Sequence, residues 1–154
     1  MIVKTFKEYT VNENTDYSIN KNQTNKIVKG FLSVMYQTNE DQLSSGENNS
    51  GNFSERANKR ATDIIELFIK SCKDSKINLL EFSPSDDDSF YDVGFSVFLA
   101  YAGYSSFSED MTKEELSKLG KYCKKLDDIC RNILRKEYYF NQIFVDENGD
   151  LSFE

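Results

Sequence analysis

The feature that most restricts the fold of this 154-residue chain is a long apolar stripe between residues 113 and 137. Its members recur at intervals of three or four residues: Leu116, Leu119, Cys123, Leu126, Cys130 and Ile133. This spacing places them on one side of an α-helix, so it predicts a helix over 113–137 that packs against a core. Thr112 and Glu115 have the spacing of a capping box, which indicates where that helix begins.

Two further segments have a helical apolar stripe. The first helix is predicted over 54–73, where Ser54 is a suitable N-cap. Its stripe is Ala57, Ala61, Ile64, Phe68 and Cys72. The second helix is predicted over 87–102, with the acidic run 86–88 at its positive end. Its stripe is Phe90, Val93, Gly94, Val97, Phe98 and Tyr101.

Four other segments favour β-strands. The run 26–36 is rich in strand formers, although the spacing of Ile27, Phe31 and Met35 also fits a helix. The run 77–82 is short and apolar, and a terminal hairpin is predicted from 138–145 and 151–153 around a turn at Asn148-Gly149. These patterns predict an α+β fold in which a central sheet of about four strands packs against three helices.

The chain is predicted to be a single domain, 1–154, with one mobile polar loop inside it. That loop is assigned to 37–53, which contains two glycines and shows no apolar period. Its Gly46-x4-Gly51 spacing is that of a phosphate-binding loop, but Asn52-Phe53 replaces the required Lys-Ser/Thr pair. A flexible loop is therefore the preferred interpretation, and an anion site is the alternative.

The chain contains no histidine, which excludes Ser-His-Asp and Cys-His mechanisms within it. Its three cysteines, Cys72, Cys123 and Cys130, are too few for a histidine-free zinc site and form no CxxC pair. We expect them to be reduced core residues in a reducing cytosol. No catalytic, cofactor-binding or metal-binding residue is predicted, and no cofactor is expected.

Two acidic clusters are each open to a structural interpretation and to an alternative as a cation-binding site. Asp86-Asp87-Asp88 is interpreted as the start of a helix, and a divalent cation site is the alternative. Residues 146–150 match the opening of a calcium loop, but Leu151 stands where that loop requires glycine. A hairpin turn is therefore predicted for 146–150.

The formal net charge of −7 makes direct binding of nucleic acid unexpected and favours a protein partner with a basic face. No apolar run is long enough to span a membrane, and a homo-oligomer is compatible with the sequence. An aromatic patch around the end of the second predicted helix is the candidate partner-binding site, with core packing as the alternative. Its residues are Tyr91, Tyr101, Tyr104 and Phe107.

Residues 57–101 resemble a segment of small proteins from large tailed phages. The similar parts are the helical run 61–70, the run 80–85 and a following helix that carries Tyr91. The same helix–strand–helix order is similar to the C-terminal half of the acetyl-CoA-dependent acetyltransferase superfamily, which implies a degenerate scaffold of that kind. The Gly-rich pyrophosphate loop of that superfamily would fall at 49–54, where the second glycine and the basic residue are missing.

The run 3–9 resembles the leader that directs internal proteins into phage heads, where a protease cuts after a glutamate such as Glu13. Together with the acidity, the absence of histidine and the aromatic-rich composition, these phage-like segments predict a non-enzymatic, phage-encoded protein that binds another protein, as a virion component or as an inhibitor of a host factor. Its expected location is the host cytoplasm or the virion. The alternatives are an acyltransferase-like enzyme that uses acetyl-CoA and an acidic nucleic-acid mimic.

Overall fold

The computed structural model describes residues 19–38, 52–81, 89–109 and 113–154. In chain order the elements are α1 (Lys21–Thr38), α2 (Glu55–Asp74), a 3₁₀ turn (Leu79–Glu81), α3 (Ser89–Ala102), α4 (Lys113–Asp128), a π-helical stretch (Ile129–Leu134), α5 (Arg135–Glu137), β1 (Ile143–Val145) and β2 (Leu151–Phe153). The predicted α+β fold with a four-stranded central sheet is wrong, and with it the acetyltransferase-like scaffold. Within the described ranges, the only sheet is the antiparallel pair β1–β2.

Residues 26–36, predicted as a strand, lie inside helix α1. The apolar residues of this run fit the spacing of a helix and also that of a strand, so packing against the rest of the protein determines which structure forms. A capping box that the sequence analysis missed begins the helix. The side-chain oxygen of Asn20 accepts from the backbone N–H of Gln23 at 2.8 Å, and that of Gln23 accepts from the N–H of Asn20 at 2.9 Å.

Residues 77–81, predicted as part of a strand, instead leave α2 through a turn. The N–H of Ile77 donates to the carbonyl of Cys72 at 2.8 Å, and that of Lys76 donates to Lys73 at 3.1 Å. Lys76 has a φ of 58°, and together these features form a Schellman motif. The chain then coils into the 3₁₀ turn, where the side chain of Asn78 accepts from the N–H of Leu80.

The three predicted helices are confirmed, with small shifts at their ends. The predicted helix 54–73 is α2, and the predicted helix 87–102 is α3 from Ser89. The predicted helix 113–137 is the run of α4, π-helical stretch and α5, which we call the composite helix. The acidic run 86–88 and the hydroxyl of Thr112 lie outside the described residues, as does most of the predicted loop 37–53.

The terminal hairpin is confirmed over a shorter length than predicted. Ile143 pairs with Phe153 and Val145 with Leu151. Residues 138–142 do not form a strand, although Gln142 and Glu154 exchange two backbone hydrogen bonds of 3.0 Å. The predicted turn at 146–150 is confirmed as well. One carboxylate oxygen of Asp146 accepts from the backbone N–H of Asn148 at 2.9 Å and from that of Asp150 at 3.0 Å.

Helices α1 and α3 approach each other most closely at two glycines. A Cβ at Gly30 would overlap the carbonyl oxygen of Tyr91 and lie 2.8 Å from its carbonyl carbon. A Cβ at Gly94 would overlap the carbonyl oxygen of Ile27 and lie 2.7 Å from the amide nitrogen of Phe31. The two backbones therefore touch without intervening side chains, which brings the rings of both helices into one core.

The start of α2 is tied to the hairpin by one buried hydroxyl. The Ser54 oxygen accepts from the N–H of Ala57 at 3.0 Å as the N-cap, and its hydroxyl donates to the hydroxyl of Ser152 at 2.9 Å. The N–H of Ser54 also donates to the carbonyl of Leu151 at 2.8 Å. The cap thus fixes where β2 meets the helical core.

We expect Ser54→Ala to lower the free energy of unfolding by about 2 kcal/mol, because it removes the cap and leaves the Ser152 hydroxyl without its partner. Urea denaturation measures the loss. Ser117, which is exposed on α4, gives the control Ser117→Ala, with an expected change of less than about 0.5 kcal/mol. Equal changes for the two variants would contradict the role of Ser54 as a structural tie.

Candidate protein-binding surface

The four aromatic residues predicted to bind a partner occupy three different settings. Tyr101 and Phe107 are buried, and Phe107 stacks on Phe68 with ring centroids 6.3 Å apart. Tyr104 is 56% exposed just beyond the end of α3. Tyr91 is half-buried and lines a separate cleft. The partner-binding patch remains a prediction, and within the described residues Tyr104 is its exposed member.

Tyr101 connects α3 to the segment that follows the composite helix. Its hydroxyl donates to the carbonyl oxygen of Tyr138. Burial raises the pKa of Tyr101 to about 12, although the positive charge and hydrogen bond of Arg60, and the charge of Arg135, act in the opposite direction. The residue is therefore a neutral hydrogen-bond donor and not a general base at neutral pH.

This pKa shift predicts that Tyr101 makes the fold sensitive to alkaline pH. A folded-state pKa above the usual 10 means that its contribution is intact below pH 10 and is lost as pH rises towards 12. Over that window we expect wild type to lose on the order of 2 kcal/mol more than Tyr101→Phe, which cannot ionise. Urea denaturation at a series of pH values measures both. Parallel stability curves for the two proteins above pH 10 would contradict the shift.

Arg60, on α2, holds the same segment from the other side. Its guanidinium carbon lies 5.8 Å from the centroid of the Tyr138 ring and 5.6 Å from that of Phe153. Its Nη2 donates to the carbonyl oxygen of Tyr139 at 2.8 Å, while Nε is buried with no hydrogen-bond partner among the described residues. The arginine is thus a cation–π and hydrogen-bond clamp that fixes the backbone at 138–139.

We call the rings of Tyr104, Tyr139 and Phe140 the aromatic surface: Tyr139 lies in the clamped segment, Phe140 follows it directly, and Tyr104 lies just beyond the end of α3. Tyr139 is 68% exposed, and Phe140 is half-buried. The Phe98 ring supports both sides of the surface, since its centroid lies 6.2 Å from Tyr104 and 5.9 Å from Phe140. A ring just beyond α3 and a ring after the composite helix therefore both pack against Phe98 of α3.

The end of α3 meets the composite helix beside this surface. Gly103, with a φ of 87°, ends α3, and the N–H of Tyr104 donates back to the carbonyl of Leu99 at 2.8 Å. Nη2 of Arg135 donates to the carbonyl of Ala102 at 3.2 Å, which places a positive charge at the negative end of the helix dipole. The guanidinium of Arg135 thus lies next to the backbone that presents Tyr104.

The π-helical stretch corrects the predicted apolar stripe of the composite helix. Ile133 was expected to be buried but is 41% exposed, whereas Leu134 is fully buried. A π-helix has more residues per turn than an α-helix, so the residue that follows Cys130 on the buried face is Leu134 instead of Ile133. Leu116, in the first turn of α4, is also more exposed than predicted, at 38%.

A second candidate site is an open cleft of about 320 Å³ at the start of α1. It is lined by Asn20, Asn22, Gln23, Asn25, Lys26, Lys29 and Tyr91. The lining offers amide, ammonium and phenol groups but no carboxylate, so it supplies hydrogen bonds without an acid–base pair. Among the described residues, no buried unpaired side chain lines this cleft.

The three cysteines are free and buried, as predicted. Burial raises the pKa of all three thiols, and the nearby charges of Asp127, for Cys123 and Cys130, act in the same direction. Because the thiolate is the reactive form, these thiols are poor nucleophiles at neutral pH. Among the described residues, no group of three or more Cys, Asp and Glu side chains is arranged to hold a metal ion.

Comparison with known proteins returns no relative: the chain matches no family model, no curated protein and no solved structure. In the described part of the chain, none of the helices combines the length and apolarity needed to cross a membrane.

Sequence reasoning missed Arg60 and the run Tyr138-Tyr139-Phe140 as parts of a site. The run was assigned to a strand because aromatic residues favour strands. A usable signal was present: three consecutive rings directly after a long amphipathic helix cannot all face the core. Nothing in the sequence pattern indicates that Arg60 reaches them, because the two segments lie 79 positions apart between Arg60 and Tyr139.

Proposed function

We propose that this chain is a non-enzymatic protein of a large tailed phage that acts by binding another protein through the aromatic surface. The observation that carries the proposal is the exposure of Tyr104 and Tyr139 on a rigidly supported part of the core. Exposed tyrosines with an arginine at their border are typical of the residues that dominate binding energy in protein interfaces. The phage origin, and the action in the virion or on a host factor, is supported by the resemblances of residues 57–101 and 3–9.

Two arginines hold the backbone on either side of the aromatic surface. Arg60 clamps the backbone at 138–139, and Arg135 fixes the end of α3 beside Tyr104. A surface that is already ordered loses less conformational entropy when a partner binds, so more of the contact energy appears as affinity. Among the described residues, no observation favours the acyltransferase or nucleic-acid-mimic alternatives.

The test compares wild type with the double variant Tyr104→Ser/Tyr139→Ser, whose exposed positions leave the core intact. Both proteins are immobilised and exposed to lysate of host cells and to disrupted virions, and the retained proteins are quantified by mass spectrometry. We expect at least one protein to be retained by wild type and reduced about tenfold by the variant, the effect of losing two interface anchors. The purified protein is then titrated directly against both chains.

The control is Phe144→Ala, a ring change in the hairpin that is outside the aromatic surface. It should retain the same proteins as wild type. Identical retention by wild type and by the Tyr104/Tyr139 variant would overturn the proposal, and so would the absence of any retained protein that binds wild type in the direct titration.

A further inference from the structure

On the composite helix, positive charge outweighs negative charge on the exposed side between residues 121 and 136. Between 121 and 136 the sequence has six basic residues and two acidic ones, although the whole chain carries a formal charge of −7. The exposed cations are Lys121, Lys124, Lys125, Arg131 and Lys136, and we call these five residues the basic face. The negative formal charge of the whole chain therefore conceals a local excess of positive charge.

The two carboxylates of this segment do little to neutralise the basic face. Asp127 is half-buried, and its Oδ1 accepts a hydrogen bond from the backbone N–H of Phe107 at 2.9 Å. Asp128 is exposed and is the remaining carboxylate in the segment. Among the residues that the structure describes, none of the five cations of the basic face is part of a salt bridge. Their positive charge is therefore available to a partner.

The basic face leads towards the aromatic surface. Arg131 and Arg135 are four residues apart on the same helix, and Arg135 lies beside Gly103, within 3.4 Å of the position that a Cβ would take there. Tyr104 follows directly. A ligand that lies along the helix would thus meet cations first and exposed rings at its end. From Lys121 to Arg135 the rise is on the order of 20 Å, the length of about six extended residues.

We propose that the basic face docks an acidic segment of the partner protein, whose apolar side chain reaches the aromatic surface. This inference rests on the proposed function and names the chemistry of the partner. Carboxylates complement the five cations, and an apolar anchor complements Tyr104 and Phe140. Protein is favoured over nucleic acid because the rest of the chain is strongly acidic and repels a phosphate polymer that extends beyond the helix.

The probe for this test is a short fluorescent peptide of glutamates with one central tryptophan, whose binding is measured by anisotropy. The variant Lys121→Gln/Lys125→Gln/Arg131→Gln removes three charges from the basic face. The matched control Lys70→Gln/Lys73→Gln/Lys76→Gln removes three exposed charges from α2 and the turn after it, so the net charge is the same. We expect the first variant to bind the peptide roughly tenfold more weakly than wild type and the control to bind it equally. Added salt should weaken the binding of wild type.

Two outcomes would overturn the inference. One is equal binding of the peptide by wild type and by the Lys121/Lys125/Arg131 variant. The other is tighter binding of a duplex DNA of matched charge than of the peptide, which would make the basic face a nucleic-acid site.

Failure of this inference is distinguishable from failure of the proposed function. If the captured protein is lost with Tyr104→Ser/Tyr139→Ser but kept with the Lys121/Lys125/Arg131 variant, the acidic-partner inference is overturned and protein binding stands. If both variants lose the captured protein and the α2 control keeps it, the inference is supported. The peptide titration does not depend on capture, so a negative capture leaves its result intact.

Discussion

Gly30→Ala and Gly94→Ala are each expected to lower the free energy of unfolding by about 3 kcal/mol or more, the upper range for overpacking. A Cβ at either position would overlap a backbone carbonyl of the opposite helix, and backbone cannot move aside as a flexible side chain does. Helices α1 and α3 would have to separate along their whole contact, which would loosen the ring core between them. Thermal and urea denaturation followed by circular dichroism measure the loss.

The matched control is Gly120→Ala in α4, where an added Cβ meets nothing within 4 Å. Since alanine favours helix over glycine, we expect this variant to be more stable than wild type by about 0.5–1 kcal/mol. The same substitution should therefore lower the free energy of unfolding at Gly30 and Gly94 and raise it at Gly120. If Gly30→Ala and Gly94→Ala behave like Gly120→Ala, the close approach of α1 and α3 is incorrect.

Phe31→Ala is expected to cost about 3–5 kcal/mol, the usual range for a buried phenylalanine. Phe31 is fully buried, and its ring contacts rings from two other elements. The centroid distances are 5.2 Å to Phe98, 5.9 Å to Tyr101 and 5.9 Å to Phe153. The loss therefore removes contacts from α1 to α3 and from α1 to the hairpin at once.

The control for Phe31→Ala is Phe144→Ala in β1, where the ring is only half-buried. We expect a loss of less than about 1.5 kcal/mol there. Chemical denaturation of both variants measures the two losses in the free energy of unfolding. A loss at Phe31 no greater than that at Phe144 would mean that the ring cluster is not the centre of the core.

A helix could be predicted from the sequence where the apolar residues fitted helical spacing and no other. In α2, the stripe from Ala57 to Cys72 and the cap at Ser54 agree on the same helix, and the structure confirms both. In α1, apolar residues satisfy helix and strand spacing together, so the pattern could not decide. The capping box of Asn20 and Gln23 was the local signal that favoured a helix, and the close fit of Gly30 against α3 is a tertiary feature that no local pattern contains.

The candidate site could be predicted only in part, because its residues come from distant parts of the chain. Tyr104 was identified from its place after a helix, yet Tyr101, with the same kind of ring nearby, is fully buried. Tyr101 is buried and Tyr104 is exposed because the chain leaves the helical path of α3 at Gly103, which lies between them and has a positive φ. The basic face was missed because only the formal net charge of the whole chain was considered, whereas the helix gathers the cations of 121–136 on its exposed side.

We propose that partners bind where the end of α3 meets the segment after the composite helix. Hydrogen exchange of the chain, alone and in complex with its captured protein, tests this claim most directly. We predict slower exchange on complex formation in the backbone amides of 102–105 and 135–142, and unchanged exchange in 20–29 around the cleft of α1. Slower exchange confined to 20–29, with 102–105 and 135–142 unchanged, would contradict the claim.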